Sequence, residues 1–347
     1  MRRIFFLTPL IILFHSSFVY SQPVYKPVNA DTGILSCQQT AGRLLDEALQ
    51  FMQKNYYRRD AVRWDELIAS AKEKLKTSGN CDDVYETITW CFHQLNETHS
   101  FVMTPAKAAI YNSSRDELSP ESPFSSLVGE IKGEWLQDSI AYLTIPWVST
   151  DDSLVCMQIA DSLQDLIARL DIRGISRWII DLRKNTGGNC WPMLAGIGPL
   201  LGEGVCGYFV SDNEKIPIAY RNGAAFQGRH IRCRVSNTSY RTKNDHHSII
   251  VLTGRRTVSA GEIVALAFKG KEQTYLYGEP TAGLTTANAT YSLSDHSMLI
   301  LSVCQEADHT GRICEGSINP DKYIASVQGQ PQEDPVKAAA IRWLQNQ

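Results

Sequence analysis

Between Leu35 and about Leu95 the apolar residues recur every three or four positions, the spacing of one buried helical face. ILSCQQTAGRLLDEALQFMQKNYY, WDELIASAKEKLK after Arg63 and DDVYETITWCFHQL each carry that stripe, and Asp82 and Asp83 suit the first turn of the third helix. The helical pattern ends at LNETHSFVM. Residues 104–126 then lose periodicity and fill with Ser, Pro and charge, as expected of a linker or surface excursion. From Leu127 the pattern changes again. LVGEIKG and SIAYLTIPWV read as strands, SLVCMQIADSLQDLIARL as an amphipathic helix, and SRWIIDLRKNTGGN as a buried strand running into a glycine turn. CWPMLAGIGPLLGEG opens a further helix with Pro192 near its start. Strand, helix, strand and glycine turn in succession predict an α/β layer architecture. Over about 205–247 the alternation has the two-residue period of strands, which suggests a β-rich insertion or cap. SIIVLTG returns to the core, TYLYGEP adds a strand, the stretch from Thr281 to Asp321 reads as a β-meander, and DPVKAAAIRWLQNQ closes the chain as an outer helix.

One run stands out, Val251 to Gly270, reading VLTGRRTVSAGEIVALAFKG. A β-prone start, a short polar turn and a helix-forming continuation put Ser259 at a helix N-terminus. Unpaired backbone N–H groups and the positive end of the helix dipole can stabilise an alkoxide or oxyanion there. Serine is also a routine helix cap, so the run by itself leaves both roles open.

A chain of 347 residues is long enough for one large domain and a smaller one. With 43% hydrophobic and 20% charged residues it is globular in composition, not disordered. MRRIFFLTPLIILFHSSFVYSQ has the charged start, short apolar run and small-residue end of a secretory signal peptide cleaved after Ser21. Losing Arg2 and Arg3 would move the formal charge from −3 to −5, so no nucleic-acid-binding surface is expected. No later segment approaches the ~20 apolar residues of a membrane span. The nine cysteines all follow the signal segment, and their odd number leaves at least one thiol unpaired within a single chain. Cys304 and Cys314 flank a turn-like stretch and could staple a hairpin. Neither CxxC nor HExxH spacing occurs, so no metal or cofactor is expected. Asn96, Asn112, Asn237 and Asn288 begin N-x-S/T triplets.

Four patterns follow in order: ETHSF, IDLRKNTGGN, TVSAGE with GEPTAG, and EGSINPD. Together they resemble the tail-specific (C-terminal processing) peptidases of S41 type, whose members share a crotonase-like core. The resemblance covers most of the chain after the signal segment and is strongest from Ile179 to Gly283. It implies Ser259 as nucleophile, with the oxyanion held by Gly187 or Gly188 and by the N–H of Ala260. Where one branch of the family has a lysine base this chain has Leu284, which excludes a serine–lysine dyad. The chain is instead similar to the histidine-using branch, which includes tricorn-type and nisin-resistance proteins, and there Thr98-His99-Ser100 supplies His99 as base. Histidine suits that task because it exchanges a proton near neutral pH. For a third, acidic group the resemblance favours Glu315, with Glu262 as the competing choice.

The expected organisation is therefore a signal peptide over 1–21, a helical domain over 22–105, a linker over 106–126, and a crotonase-like α/β core over 127–347 carrying the β-rich insertion. Only 40 residues separate His99 from Ile140, too few for the PDZ domain that many relatives insert. The expected function is a secreted or periplasmic serine endopeptidase acting on a peptide or unfolded protein segment. A non-catalytic peptide- or lipid-binding protein on the same scaffold is the alternative, since a fold alone does not fix activity.

Overall fold

The structure, a computed structural model, describes residues 36–109, 127–137, 139–212, 214–326 and 334–347. The expected signal peptide, most of the expected linker and the Asn112 triplet lie outside the described residues. Three helices come first: α1 (Cys37–Asn55), α2 (Trp64–Ser78) and α3 (Asp83–Gln94). Ser36 begins α1 with a capping box whose partner is Gln39. Its buried residues Ala41, Leu44, Leu45, Ala48, Leu49 and Met52 are the predicted stripe. A disulfide joins Cys37, at the start of α1, to Cys81, just ahead of α3.

The central sheet orders β13 (Lys322–Tyr323), β10 (Thr274–Gly278), β9 (Ser248–Thr253), β4 (Arg177–Asp181), β3 (Ile140–Thr144) and β2 (Gly133–Leu136). All its pairings are parallel except β2 with β3. Alternation along β4 and β9 divides their side chains between two cores. Trp178, Ile180 and Val251 face α4 (Ser153–Leu170), α5 (Cys190–Leu201) and α6 (Ala260–Phe268). Ile179, Ile250 and Leu252 face the closing helix α7 (Pro335–Gln345). Helix α5 is apolar on nearly every side because it is covered by α4, by α6 and by a second sheet.

That second sheet orders β1 (Phe101–Met103), β12 (Met298–Ala307), β5 (Gly204–Ser211), β6 (Glu214–Arg221), β7 (Ala224–Gln227) and β8 (His230–Arg234), with β11 (Thr286–Ser292) also on β12. The strands expected as a separate β-rich insertion thus continue a sheet that includes β1, the strand just after His99. Nor do the first three helices have a core to themselves. They bury Leu45, Leu49 and Phe92 against Tyr291, Leu293, Leu299 and Leu301 of the β11–β12 hairpin. Cys304 and Cys314 are free thiols, as are Cys91, Cys156, Cys190, Cys206 and Cys233. The hairpin staple fails on register: the Cys314 amide donates to the Glu306 carbonyl at 2.9 Å, so Cys314 faces Glu306 and not Cys304. Among the described residues no helix is long and apolar enough to cross a membrane.

The disulfide closes a separation of 44 residues. Loop-closure entropy assigns such a link about 4 kcal/mol. Replacing Cys37 and Cys81 by Ser is expected to lower stability by that order in denaturant unfolding; an unchanged midpoint would show that the link does not constrain the unfolded chain.

Candidate active site

Parallel strands direct their carboxyl ends to one edge, where α/β proteins place their ligands. Here the loops after β4 and β9 meet at that edge. Thr257 donates its hydroxyl to the Leu182 carbonyl at 2.9 Å, and the Val258 amide donates to the Asn185 carbonyl at 3.0 Å. Asn185 is fully buried. Its side chain accepts the Gly187 amide at 3.0 Å and donates to the Pro146 carbonyl at 3.0 Å, which fixes the glycine turn to the chain leaving β3.

Ser259 occupies the turn into α6 with φ 50° and ψ −113°. For a residue with a side chain that conformation costs on the order of 1–3 kcal/mol, and such strain gathers at functional sites. Glu262, one turn into the helix and fully buried, holds the turn in place. Its carboxylate accepts the amides of Ser259 (2.8 Å), Gly283 (2.8 Å) and Leu284 (2.9 Å) and the hydroxyl of Thr281 (2.5 Å). Burial pushes this carboxyl above the usual carboxylate range, against the pull of its donors.

Gly187 and Gly188 both have positive φ, 98° and 100°. A Cβ on Gly187 would lie 3.2 Å from the Cβ of Ser259 and 3.5 Å from the nitrogen of Ala260; one on Gly188 would overlap the Val148 carbonyl. Only glycine fits both places. The Gly187 amide is taken by Asn185, whereas the amides of Gly188 and Ala260 have no acceptor among the described residues. Ser259, Gly187, Gly188 and Ala260 are thus brought together.

His99 lies in the loop between α3 and β1. Its Nδ1 is 2.8 Å from the Thr286 hydroxyl, at the start of β11. Its amide donates to Glu97 at 2.7 Å, and Asn288 donates to its carbonyl at 3.0 Å. Burial lowers the His99 pKa below its ordinary value, with Glu97 and the Thr286 backbone opposing. No hydrogen bond joins His99 to Ser259 among the described residues. They are connected through one segment: Leu284 is tied to Glu262, and Thr286, two residues on, to His99.

Glu315, expected as the acidic helper, is exposed and pairs with Arg58 at 3.6 Å. Its carboxylate makes no hydrogen bond to His99, because the loop carrying it turns outward to the first helices. Glu262 does not reach His99 by a hydrogen bond either, its oxygens being occupied by the four donors named above. Lys269 and Lys271 bond to the carbonyls of Asn319 and Leu201, away from the serine. Asp321 exchanges two hydrogen bonds with the Leu276 backbone, a structural tie. Asn288 is engaged beside His99, which removes its triplet as a surface site. Among the described residues neither carboxyl oxygen of buried Glu306 has a hydrogen-bond partner, and burial, with the nearby Glu262, pushes its pKa well up. Thr286, Ser302 and Glu97 are the site's unexpected members. Glu97 stood inside the ETHSF pattern, but Ser302 lies 205 residues away from it.

Comparison with known proteins matches residues 139–324 to Peptidase family S41. The nisin-resistance protein of Lactococcus lactis subsp. lactis is 28% identical over 295 residues, covering 83% of this chain and 82% of that protein. The solved structure of a lipoprotein from Streptococcus agalactiae superimposes with a TM-score of 0.67 at 20% identity, over 92% of this chain and 99% of that one. The photosystem II D1 C-terminal processing protease gives 0.54 at 15% identity, over 84% and 94%. With more than half of its length matched by the family and its α/β layers shared with processing proteases, this chain is a serine peptidase of family S41.

Proposed function

We propose that Ser259 is the nucleophile, His99 the base, and the amides of Gly188 and Ala260 the oxyanion donors of an exported endopeptidase. The observation that carries this reading is the pair of amides with no acceptor among the described residues, beside a strained serine where two parallel strands end. Gly187 gives the backbone its close approach to Ser259.

His99 takes the proton of Ser259 as its oxygen bonds to the peptide carbonyl carbon. The negative charge that develops on the carbonyl oxygen is met by the two amides, each worth roughly 3–4 kcal/mol. His99 then returns the proton to the leaving amine as the C–N bond breaks. Water, deprotonated by the same histidine, hydrolyses the acyl-enzyme and regenerates Ser259. Neutral imidazole is the form that begins this sequence, and the burial of His99 favours it.

The layers around the site are read as a crotonase-like core carrying an N-terminal helical domain. The substrate of a peptidase is a peptide or protein. The nisin-resistance relative, by its name, points to a small antimicrobial peptide as the first one to try, and with the lipoprotein neighbour it supports an extracytoplasmic location.

Incubation with a peptide library that includes short antimicrobial peptides, read by mass spectrometry, is expected to show cleavage by the wild type and none by Ser259→Ala or His99→Ala. Cleavage that survives either substitution would sink this assignment. Gly188→Ala keeps the amide but sets its Cβ against the Val148 carbonyl, so the turn and its donor must move; kcat is expected to fall by about 10²–10³, the usual effect of an ineffective oxyanion donor, and a wild-type kcat in folded protein would remove Gly188 from the hole. For pH, the sign follows from the depressed His99 pKa: the base stays unprotonated to lower pH than a free imidazole. The acid limb of kcat/KM is therefore expected below the ordinary histidine value of about 6.5, and a midpoint at or above it would contradict a buried base.

A further inference from the structure

A histidine base needs its hydrogen on Nδ1 so that Nε2 carries the lone pair. Something must fix that tautomer, and in Ser–His–Asp enzymes a buried carboxylate does so directly. Among the described residues no carboxylate is hydrogen-bonded to the His99 ring. Its Nδ1 faces the Thr286 hydroxyl, which can donate or accept, and the Thr286 backbone also acts on the ring, so the groups behind that hydroxyl decide which way its proton points.

The hydrogens can be counted along that line. Thr286 Oγ1 is 3.1 Å from Ser302 Oγ. Ser302 Oγ lies 3.1 Å from Glu97 Oε1 and 2.9 Å from Asn288 Oδ1. The Asn288 amide is oriented by its nitrogen, which donates to the His99 carbonyl. Both oxygens facing Ser302 can only accept, so its single proton goes to one of them. Towards Thr286, Ser302 is therefore the acceptor, and the Thr286 proton points to Ser302. A lone pair of Thr286 is left for His99 Nδ1, which must carry the hydrogen.

Glu97 anchors the line. It is 7% exposed, and Oε1 also accepts the amides of His99 at 2.7 Å and Ser100 at 3.0 Å. Ser302 is fully buried and also takes the Ser100 hydroxyl at 3.3 Å. With the Ser302 proton on Glu97, the donors of this line run from the imidazole to a carboxylate, the arrangement that stabilises an imidazolium when the ring takes a proton.

Resting on the Ser259–His99 reading, we infer that Glu97, acting through Ser302 and Thr286, is the carboxylate that positions His99 and fixes its tautomer, in place of Glu315 and Glu262. Thr286, Ser302 and Glu97 are positioning residues in this scheme. They touch the base or one another and not the substrate. Glu97 is the charged group that acts on the ring from its own loop, and among the described residues β11 and β12 bring hydroxyls, an amide and the Thr286 backbone to it, with no charge.

Two readouts separate this role from a structural one. The first is the ¹⁵N NMR spectrum of the histidine-labelled chain, with the His99 signals identified by their absence in His99→Ala. Above its pKa, His99 is expected in the Nδ1–H form; an Nε2–H form in the wild type would overturn the inference without reference to activity. The second is kinetics. Thr286→Val is expected to lower kcat by about 10²–10⁴, the range of a misdirected acid–base group, with KM within about threefold and the tautomers mixed. Thr286→Ser is expected to restore most of the rate. Glu97→Gln is expected to move the acid limb of kcat/KM down, since it removes the charge that holds the proton on the ring. Unchanged tautomer, kcat and pH limb in Thr286→Val and Glu97→Gln would overturn the relay while leaving His99 as base. Loss of the pH limb in Glu315→Gln but not in Glu97→Gln would return the role to Glu315. Retained cleavage in His99→Ala is a different failure, that of the Ser–His reading itself.

Discussion

A single buried carboxylate holds together the edge of the parallel sheet that carries Ser259. Glu262 gathers donors from two loops, the Ser259 turn and the 281–284 segment, and its burial makes each of those bonds costly to lose. Through Ser259 it fixes the start of α6. Through Leu284 it fixes the entry to β11, and with it Thr286. A residue that looks like an ordinary first-turn acid thus sets the distance between the serine and the strand on which the histidine rests.

The site is assembled from two layers. The parallel sheet supplies the serine and the glycine turn, both at the carboxyl ends of strands and both pinned by Asn185. The antiparallel sheet supplies the other half: β1 follows His99 directly, and β11 and β12 carry its hydrogen-bond partners. The first three helices pack on the same β11–β12 hairpin, so the apolar contacts that stabilise them also support His99 from behind. Packing and chemistry share the same strands.

Much of this was legible in local pattern. The stripes over 35–95 mark α1 to α3, and SRWIID alternates between two apolar faces because both sides of β4 are buried. The TVSAGE turn carries Ser259 because the strand-to-helix change is written in consecutive residues. Pairings between distant segments were not legible. Nothing in 205–247 says that its strands join β1 and β12, and the acid behind His99 depends on Ser302, whose contact with Glu97 spans 205 positions. Glu315 drew attention through its motif neighbours, yet a side chain's direction is set by its loop, and that loop faces Arg58. Cys304 and Cys314 have a spacing that suits a hairpin staple, but the register puts Glu306 opposite Cys314.

The order of parts along the chain bears on when such a peptidase becomes active during its own synthesis. His99 leaves the ribosome 160 residues before Ser259, and its partners Thr286 and Ser302 come later still. Domains form broadly from the N-terminus as the chain emerges. A chain with only its first helices in place would hold His99 without Thr286 and Ser302, which bond to it and behind it. The proposed site therefore needs nearly the whole chain: it is complete only in a polypeptide whose β11–β12 hairpin is packed on the first helices.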